Sequence, residues 1–207
     1  MLPALFAILI GSSLAADKTS PHPHRGIGER FTNPKPTTLT AEEVVTINAG
    51  KAVRRQVRSD AGGRGIAIMD IKASPAKIWD VIADYDGYPN WIDNLERAQI
   101  YGGDRAQGFL VEYELKVFGM EIVYFIDHDF FPDKGLLTWQ LDYSMESDID
   151  DSTGYWMVYP SPDNPSHSRL EYSVDLRLKG WVPGIVENML ANKGLTMATS
   201  WVKKQAE

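Results

Sequence analysis

Ala73-Ser74-Pro75-Ala76-Lys77-Ile78-Trp79-Asp80-Val81-Ile82-Ala83-Asp84-Tyr85, with Tyr88-Pro89-Asn90-Trp91 close behind, is the stretch on which the fold turns. Ser74 is placed as a helix N-cap and Pro75 at the first helical position, where a missing N–H costs nothing. Ile78, Trp79, Val81 and Ile82 give that helix one apolar side. Asp84-Tyr85-Asp86-Gly87-Tyr88 breaks it, and Pro89 to Leu95 begins a second short helix. Immediately upstream, Gly65-Ile66-Ala67-Ile68-Met69-Asp70-Ile71 reads as a strand. One strand therefore leads into two short helices.

Downstream, from Ala98 to Leu178, the hydrophobic period changes to two and Gly, Pro and Asp clusters separate the segments, as in an antiparallel meander. Phe109, Val111, Tyr113, Leu115 and Val117 alternate with mostly charged neighbours. Ile122, Tyr124, Ile126, His128 and Phe130 share the next apolar face, and Leu137, Trp139, Leu141 and Tyr143 another. Gly154 to Tyr159 is a further strand, and Leu170, Tyr172, Val174, Leu176 and Leu178 close the series. The pattern predicts a curved sheet that is hydrophobic on one side. From about Pro183 to Lys204 a single long helix follows. Val182, Val186, Met189, Leu190, Met197 and Trp201 form one stripe on it, and Ala191, Leu195, Ala198 and Val202 a second. A helix covered over so much of its circumference lies on the sheet and also meets something else.

Upstream, Thr40-Ala41-Glu42-Glu43 is a capping box for a helix that stops at Gly50. Lys51 to Arg58 and the turn Asp60 to Gly65 make the strand of Gly65 half of a hairpin. The second stripe of the terminal helix suggests a place for Val44, Val45 and Ile47. Residues 16–39 are rich in Pro, Thr, Lys and His, lack periodicity and are expected to be a disordered linker. His22 and His24 within it lack the further donors that a metal needs. Residues 1–15, with the apolar run Leu2 to Ile10 and small residues at Ser13 and Ala15, read as a signal peptide cleaved before Ala16, although no Lys or Arg precedes the run. An exported, periplasmic or extracytoplasmic protein is the expectation.

These divisions leave residues 40–64 as an N-terminal helix and hairpin extension and 65–205 as one domain, in keeping with a chain of 207 residues. With 43% hydrophobic and 24% charged residues the chain can bury a core. A net charge of -7 offers nothing to a phosphate backbone, so no nucleic acid is expected as partner. The absence of cysteine excludes disulfides, thiolate catalysis and zinc-thiolate sites.

Strand, two short helices, about six to seven antiparallel strands and a long terminal helix is the order of the α+β helix-grip fold. Gly65 to Ile68, Ala73 to Tyr85 and Tyr88 to Trp91 resemble the opening of the START-like (SRPBCC) superfamily, which includes polyketide cyclases and dehydrases and coenzyme-Q-binding proteins. Trp139, Gly154-Tyr155-Trp156 and Val182-Pro183-Gly184-Ile185-Val186 resemble its later part. The resemblance implies a cavity between the concave sheet and the terminal helix. Members hold sterols, phospholipids, polyketides, quinones or plant hormones there; some catalyse cyclisation or hydrolysis and many only bind.

His128, on an apolar face, is the one catalytic candidate: an imidazole there would serve as general base or hydrogen-bond a ligand carbonyl, or be a satisfied core residue. Tyr113, Tyr124, Trp139 and Tyr172 offer flat walls with polar tips, and Val186, Met189, Leu190 and Met197 face them from the helix. Lys193, on the same side, either pairs with a ligand anion or snorkels outward, and Glu187 points away. Asp148, Asp150 and Asp151 form an exposed acidic turn rather than a calcium loop. No metal or cofactor is called for, and no Ser-His-Asp, phosphate-loop or HExxH pattern occurs. The leading expectation is a carrier or sensor of a hydrophobic small molecule or lipid, with transient membrane contact. The rivals are a cyclase or dehydratase using His128 with a Tyr, and an interaction protein whose cavity its own side chains fill.

Overall fold

A computed structural model describes residues 16–59, 62–106, 108–117, 119–180 and 194–207. Helix α1 (Ala41–Asn48) begins with the predicted reciprocal cap: Thr40 Oγ1 accepts from the Glu43 amide at 3.3 Å and Glu43 accepts from the Thr40 amide at 2.8 Å. Strands β1 (Val53–Ser59) and β2 (Gly62–Ile71) follow. Helix α2 (Pro75–Ile82) is capped by Ser74, whose hydroxyl accepts from the Lys77 amide at 3.3 Å. A 3-10 turn at Tyr85–Gly87 leads into α3 (Tyr88–Trp91). Then come β3 (Leu95–Asp104), β4 (Gly108–Val117), β5 (Met120–Phe131), β6 (Leu136–Leu141), β7 (Ile149–Pro160) and β8 (Ser168–Leu178), and finally α4 (Gly194–Ala206).

The strands form one curved, unclosed sheet of eight in the order β1-β2-β8-β7-β6-β5-β4-β3, antiparallel throughout. Its strand count exceeds the expected six to seven because β1, read as part of an extension, pairs with β2 from Val53↔Ile68 to Ser59↔Gly62 and so joins the main sheet. Register sets the concave face: Tyr113 opposes Tyr124, His128 opposes Phe109 and Trp139, and Tyr172 opposes Trp156 and Ala67. Met69 and Ile71 of that face pack with Ile78, Trp79 and Ile82 of α2 and with Trp201, Val202 and Ala206 of α4. Full burial of a side chain such as Ile71, Ile78 or Val202 contributes roughly 1.5–3 kcal/mol. Gly65 lets the helix approach: a Cβ there would lie 2.5 Å from the Leu195 methyls.

The opposite face carries two departures from the sequence reading. Ile47 of α1 is buried with Val53 and Ile68, with Leu39 and Ile66 beside them, so α1 covers the convex face rather than the second stripe of the terminal helix. Side chains alternate along β2, and Ile66 and Ile68 point away from the side on which Gly65, Ala67 and Met69 meet α4. Of the second stripe, Leu195 packs on Gly65 of β2 and Val202 lies in the main core, while Ala198 lines the cavity.

The disordered linker expected at residues 16–39 is the second correction: the segment is an arm laid along the convex face. Asp17 and Glu146 exchange two backbone hydrogen bonds of 2.9 Å each. Lys18 pairs with the buried Glu112 at 2.5 Å, and the Gly28 amide donates to Asp151 at 2.8 Å. Arg30 bridges Asp127 and Asp129. Phe31 meets Tyr155 edge-on at 5.1 Å, and Thr37 donates its amide (3.0 Å) and hydroxyl (2.6 Å) to Glu171, which is fully buried. His22 is buried: the Ser147 amide donates to its Nδ1, so its Nε2–H donates to the Asp150 carbonyl at 2.9 Å. Ordering here comes from individually partnered polar groups, which leave no hydrophobic period for a sequence reading to detect.

Candidate functional site

Curvature of the sheet leaves a cavity of about 300 Å³ between its concave face, the α2–α3 region and α4. Its depth is marked by burial. His128, Trp139, Trp156, Tyr85 and Tyr88 are buried at the floor, Tyr113, Tyr124 and Tyr172 are half-buried along the walls, and Asp93 and Asn94 are exposed at the rim beside Leu115, Ile122 and Leu176. Among the described lining residues only Asp93 carries a formal charge.

Trp139 lies flat over Gly154 of β7, where a Cβ would come within 2.2 Å of the indole and 2.3 Å of the Ser173 carbonyl. The ring stacks on Tyr172 at 5.6 Å and donates Nε1–H to the Ser152 hydroxyl at 3.3 Å. Trp156 packs against the other side of the same wall, 4.4 Å from the Tyr172 ring. Across the sheet Tyr113 and Tyr124 stack at 5.2 Å. Burial pushes the phenols of Tyr85, Tyr113, Tyr124 and Tyr172 upward, so they are neutral hydroxyls at physiological pH.

His128 Nδ1 is 3.1 Å from the Phe109 carbonyl, which can only accept, so Nδ1 carries the proton and Nε2 the lone pair. Nε2 meets the Tyr113 hydroxyl at 3.5 Å. Burial pushes the imidazole down to about 3, against the opposing effect of the Phe109 hydrogen bond and with a small contribution from Arg30. Among the described residues no carboxylate bonds to the ring. Asp127 and Asp129, its chain neighbours, point to the other face and hold Arg30.

Of the residues singled out from sequence, Tyr113, Tyr124, His128, Trp139, Tyr172 and Met197 line the cavity. Val186, Met189, Leu190 and Lys193, with Glu187, lie outside the described residues. The exposed acidic turn expected at Asp148, Asp150 and Asp151 is instead the entry to β7, with Asp151 buried, and the three carboxylates are partnered by the Val123 amide, His24 and the Gly28 amide. Sequence reasoning missed Tyr85, Trp156 and Ser152 as lining residues. Trp156 was detectable, because it shares parity with Gly154 in the stretch Gly154 to Tyr159 that reads as a strand. Tyr85 was not: it sits in the 3-10 turn, where no period applies.

A curved antiparallel sheet gripping a terminal helix over an apolar cavity defines a helix-grip protein. The chain belongs to the polyketide cyclase/dehydrase and lipid transport family, whose model matches residues 67–204. Solved structures share this fold. A START superfamily protein from Mycobacterium smegmatis superposes with a TM-score of 0.54 at 16% identity, covering 75% of this chain and 96% of its own. A STAR-related lipid transfer protein from Xanthomonas axonopodis gives 0.55 at 12% identity, covering 76% and 93%. A Thermus thermophilus protein gives 0.58 at 13% identity, covering 69% and 96%. No curated protein sequence matches the chain.

Proposed function

We propose that this protein binds a hydrophobic small molecule or lipid in the cavity between sheet and terminal helix, and carries or senses it rather than transforming it. The observation that carries this reading is the lining: aromatic and aliphatic walls around about 300 Å³, neutral phenols, and one formal charge confined to the rim among the described residues. Membership of a family described by lipid transport supports it. We further propose that the protein works outside the cytoplasm, in reach of a membrane surface. That setting rests on the apolar run Leu2 to Ile10 followed by Ser13 and Ala15.

A cyclase or dehydratase reading has the Tyr113–His128 pair in its favour. It requires His128 to take a proton near neutral pH, and an imidazole that burial pushes down to about 3 is a poor match for that task. The neutral fluorophore N-phenyl-1-naphthylamine tests the binding reading. Wild type takes it up with a saturable rise in emission, and Ala198→Phe, which projects a ring from α4 into the cavity, loses most of that signal while keeping its circular dichroism. Absence of uptake by wild type contradicts the reading.

A further inference from the structure

We propose that His128 Nε2 and the Tyr113 hydroxyl form a hydrogen-bonding subsite on the cavity floor for the hydroxyl of an uncharged, flat-ringed ligand. This deepens the binding function proposed above and rests on it.

The argument starts from what His128 has left to offer. Its Nδ1–H is committed to the Phe109 carbonyl at 3.1 Å, so Nε2 is an acceptor facing the cavity. Among the described residues its one hydrogen-bond neighbour there is the Tyr113 hydroxyl at 3.5 Å, the outer limit of a hydrogen bond. A buried acceptor held at that limit is incompletely satisfied, and a third group that brings a hydrogen to it is favoured. A ligand hydroxyl answers both partners: it donates to Nε2 and accepts from the Tyr113 O–H. A ketone answers only Tyr113. A carboxylate sets lone pairs against the Nε2 lone pair and brings a charge to a floor where no described lining residue is cationic. An ammonium finds an acceptor but no counter-charge among the described lining residues of the floor, because Asp93 stands at the exposed rim.

The walls specify the rest of the ligand. Tyr113 stacks on Tyr124 with 19° between the planes, and Trp139 on Tyr172 with 27°. Both pairs flank His128, with Tyr113 and Trp139 each 6.3 Å from it between ring centroids. Such faces gain more from a rigid ring than from a flexible chain, which loses rotamer freedom on entry.

Calorimetric titration of the full chain with 2-naphthol, 2-methylnaphthalene, 2-naphthoate and 1-decanol tests the subsite. Wild type should bind 2-naphthol about tenfold more tightly than 2-methylnaphthalene, the worth of one well-made hydrogen bond, and more tightly than 2-naphthoate or 1-decanol. Tyr113→Phe, which deletes one hydroxyl, should reduce the gap to under about threefold. His128→Phe should abolish the gap; if that variant fails to fold, Tyr113→Phe carries the test. Equal binding of 2-naphthol and 2-methylnaphthalene overturns the subsite and leaves the binding function standing. A preference for 2-naphthoate, or a full gap in Tyr113→Phe, overturns it as well, and 1-decanol binding as tightly as 2-naphthol removes the flat ring. Failure of every probe to bind takes down the binding function together with the subsite.

Discussion

Replacing Thr37 by Val deletes one hydroxyl from a segment whose composition reads as disordered, and the structure predicts a clear loss of stability. Thr37 Oγ1 donates at 2.6 Å to Glu171, a fully buried carboxylate on β8 that also accepts from the Thr37 amide at 3.0 Å and from the Tyr155 hydroxyl at 2.7 Å. A hydrogen bond to a charged group contributes about 1.5–3 kcal/mol, and the two remaining donors keep Glu171 partly satisfied, which favours the lower half of that range. Val preserves the shape and the extended-chain preference, so the loss isolates the hydroxyl. About 2 kcal/mol in a chain of this size corresponds to a fall in Tm of roughly 4–8 °C. Urea unfolding followed by circular dichroism reads it as a lower midpoint with unchanged slope. A cycle with Glu171→Gln assigns the energy to the pair, since the hydroxyl should lose most of its worth once the carboxylate is gone. A loss below about 0.5 kcal/mol, the level of an ordinary surface substitution, refutes the docked arm and restores the tether.

Deleting residues 16–38 should lower the urea midpoint further than Thr37→Val alone, because it removes an arm partner from each of Glu112, Asp127 and Asp151 as well as from Glu171; equal midpoints for the deletion and wild type contradict the account. Gly154→Val should destabilise by about 3 kcal/mol or more through overpacking, since its Cβ meets both the Trp139 indole and the Ser173 backbone, and near-ultraviolet circular dichroism should show the tryptophan signal collapse. His128 gives the protein an acid-side slope. Its folded pKa of about 3 lies below the unfolded value near 6.5, so above pH 6.5 both states are neutral, and below it the unfolded chain takes a proton that the folded one refuses. Stability should fall by about 2 kcal/mol from pH 7 to pH 5 on this account, with the buried His22 acting in the same sense. His128→Gln should show a correspondingly shallower slope in urea titrations at the two pH values, and an unchanged slope contradicts the assignment.

What could be read in advance follows the physics of each element. Ser74 and Pro75 mark the start of α2 because capping is local chemistry, and the inward set Tyr113, Tyr124, His128, Trp139 and Tyr172 follows from the two-residue period of strands. The arm was invisible because its order depends on Glu112, Asp127, Asp151 and Glu171, all distant in sequence. The face taken by α1 was misjudged for a related reason. Val44, Val45 and Ile47 announce an apolar helix side, but whether it meets Ile68 or the terminal helix depends on which side of β2 the chain crosses. The floor of the cavity was half legible: parity brought His128 inward, while its tautomer depends on the Phe109 carbonyl of the neighbouring strand, a register that only the folded sheet supplies.

Native mass spectrometry of the full chain, purified from its source without detergent, tests the central claim most directly. The account predicts a protein ion that carries one apolar molecule in a one-to-one complex, released on collisional activation, and an Ala198→Phe variant that carries none. A wild-type chain that emerges empty, and stays empty after incubation with N-phenyl-1-naphthylamine, contradicts a ligand-binding function for this cavity.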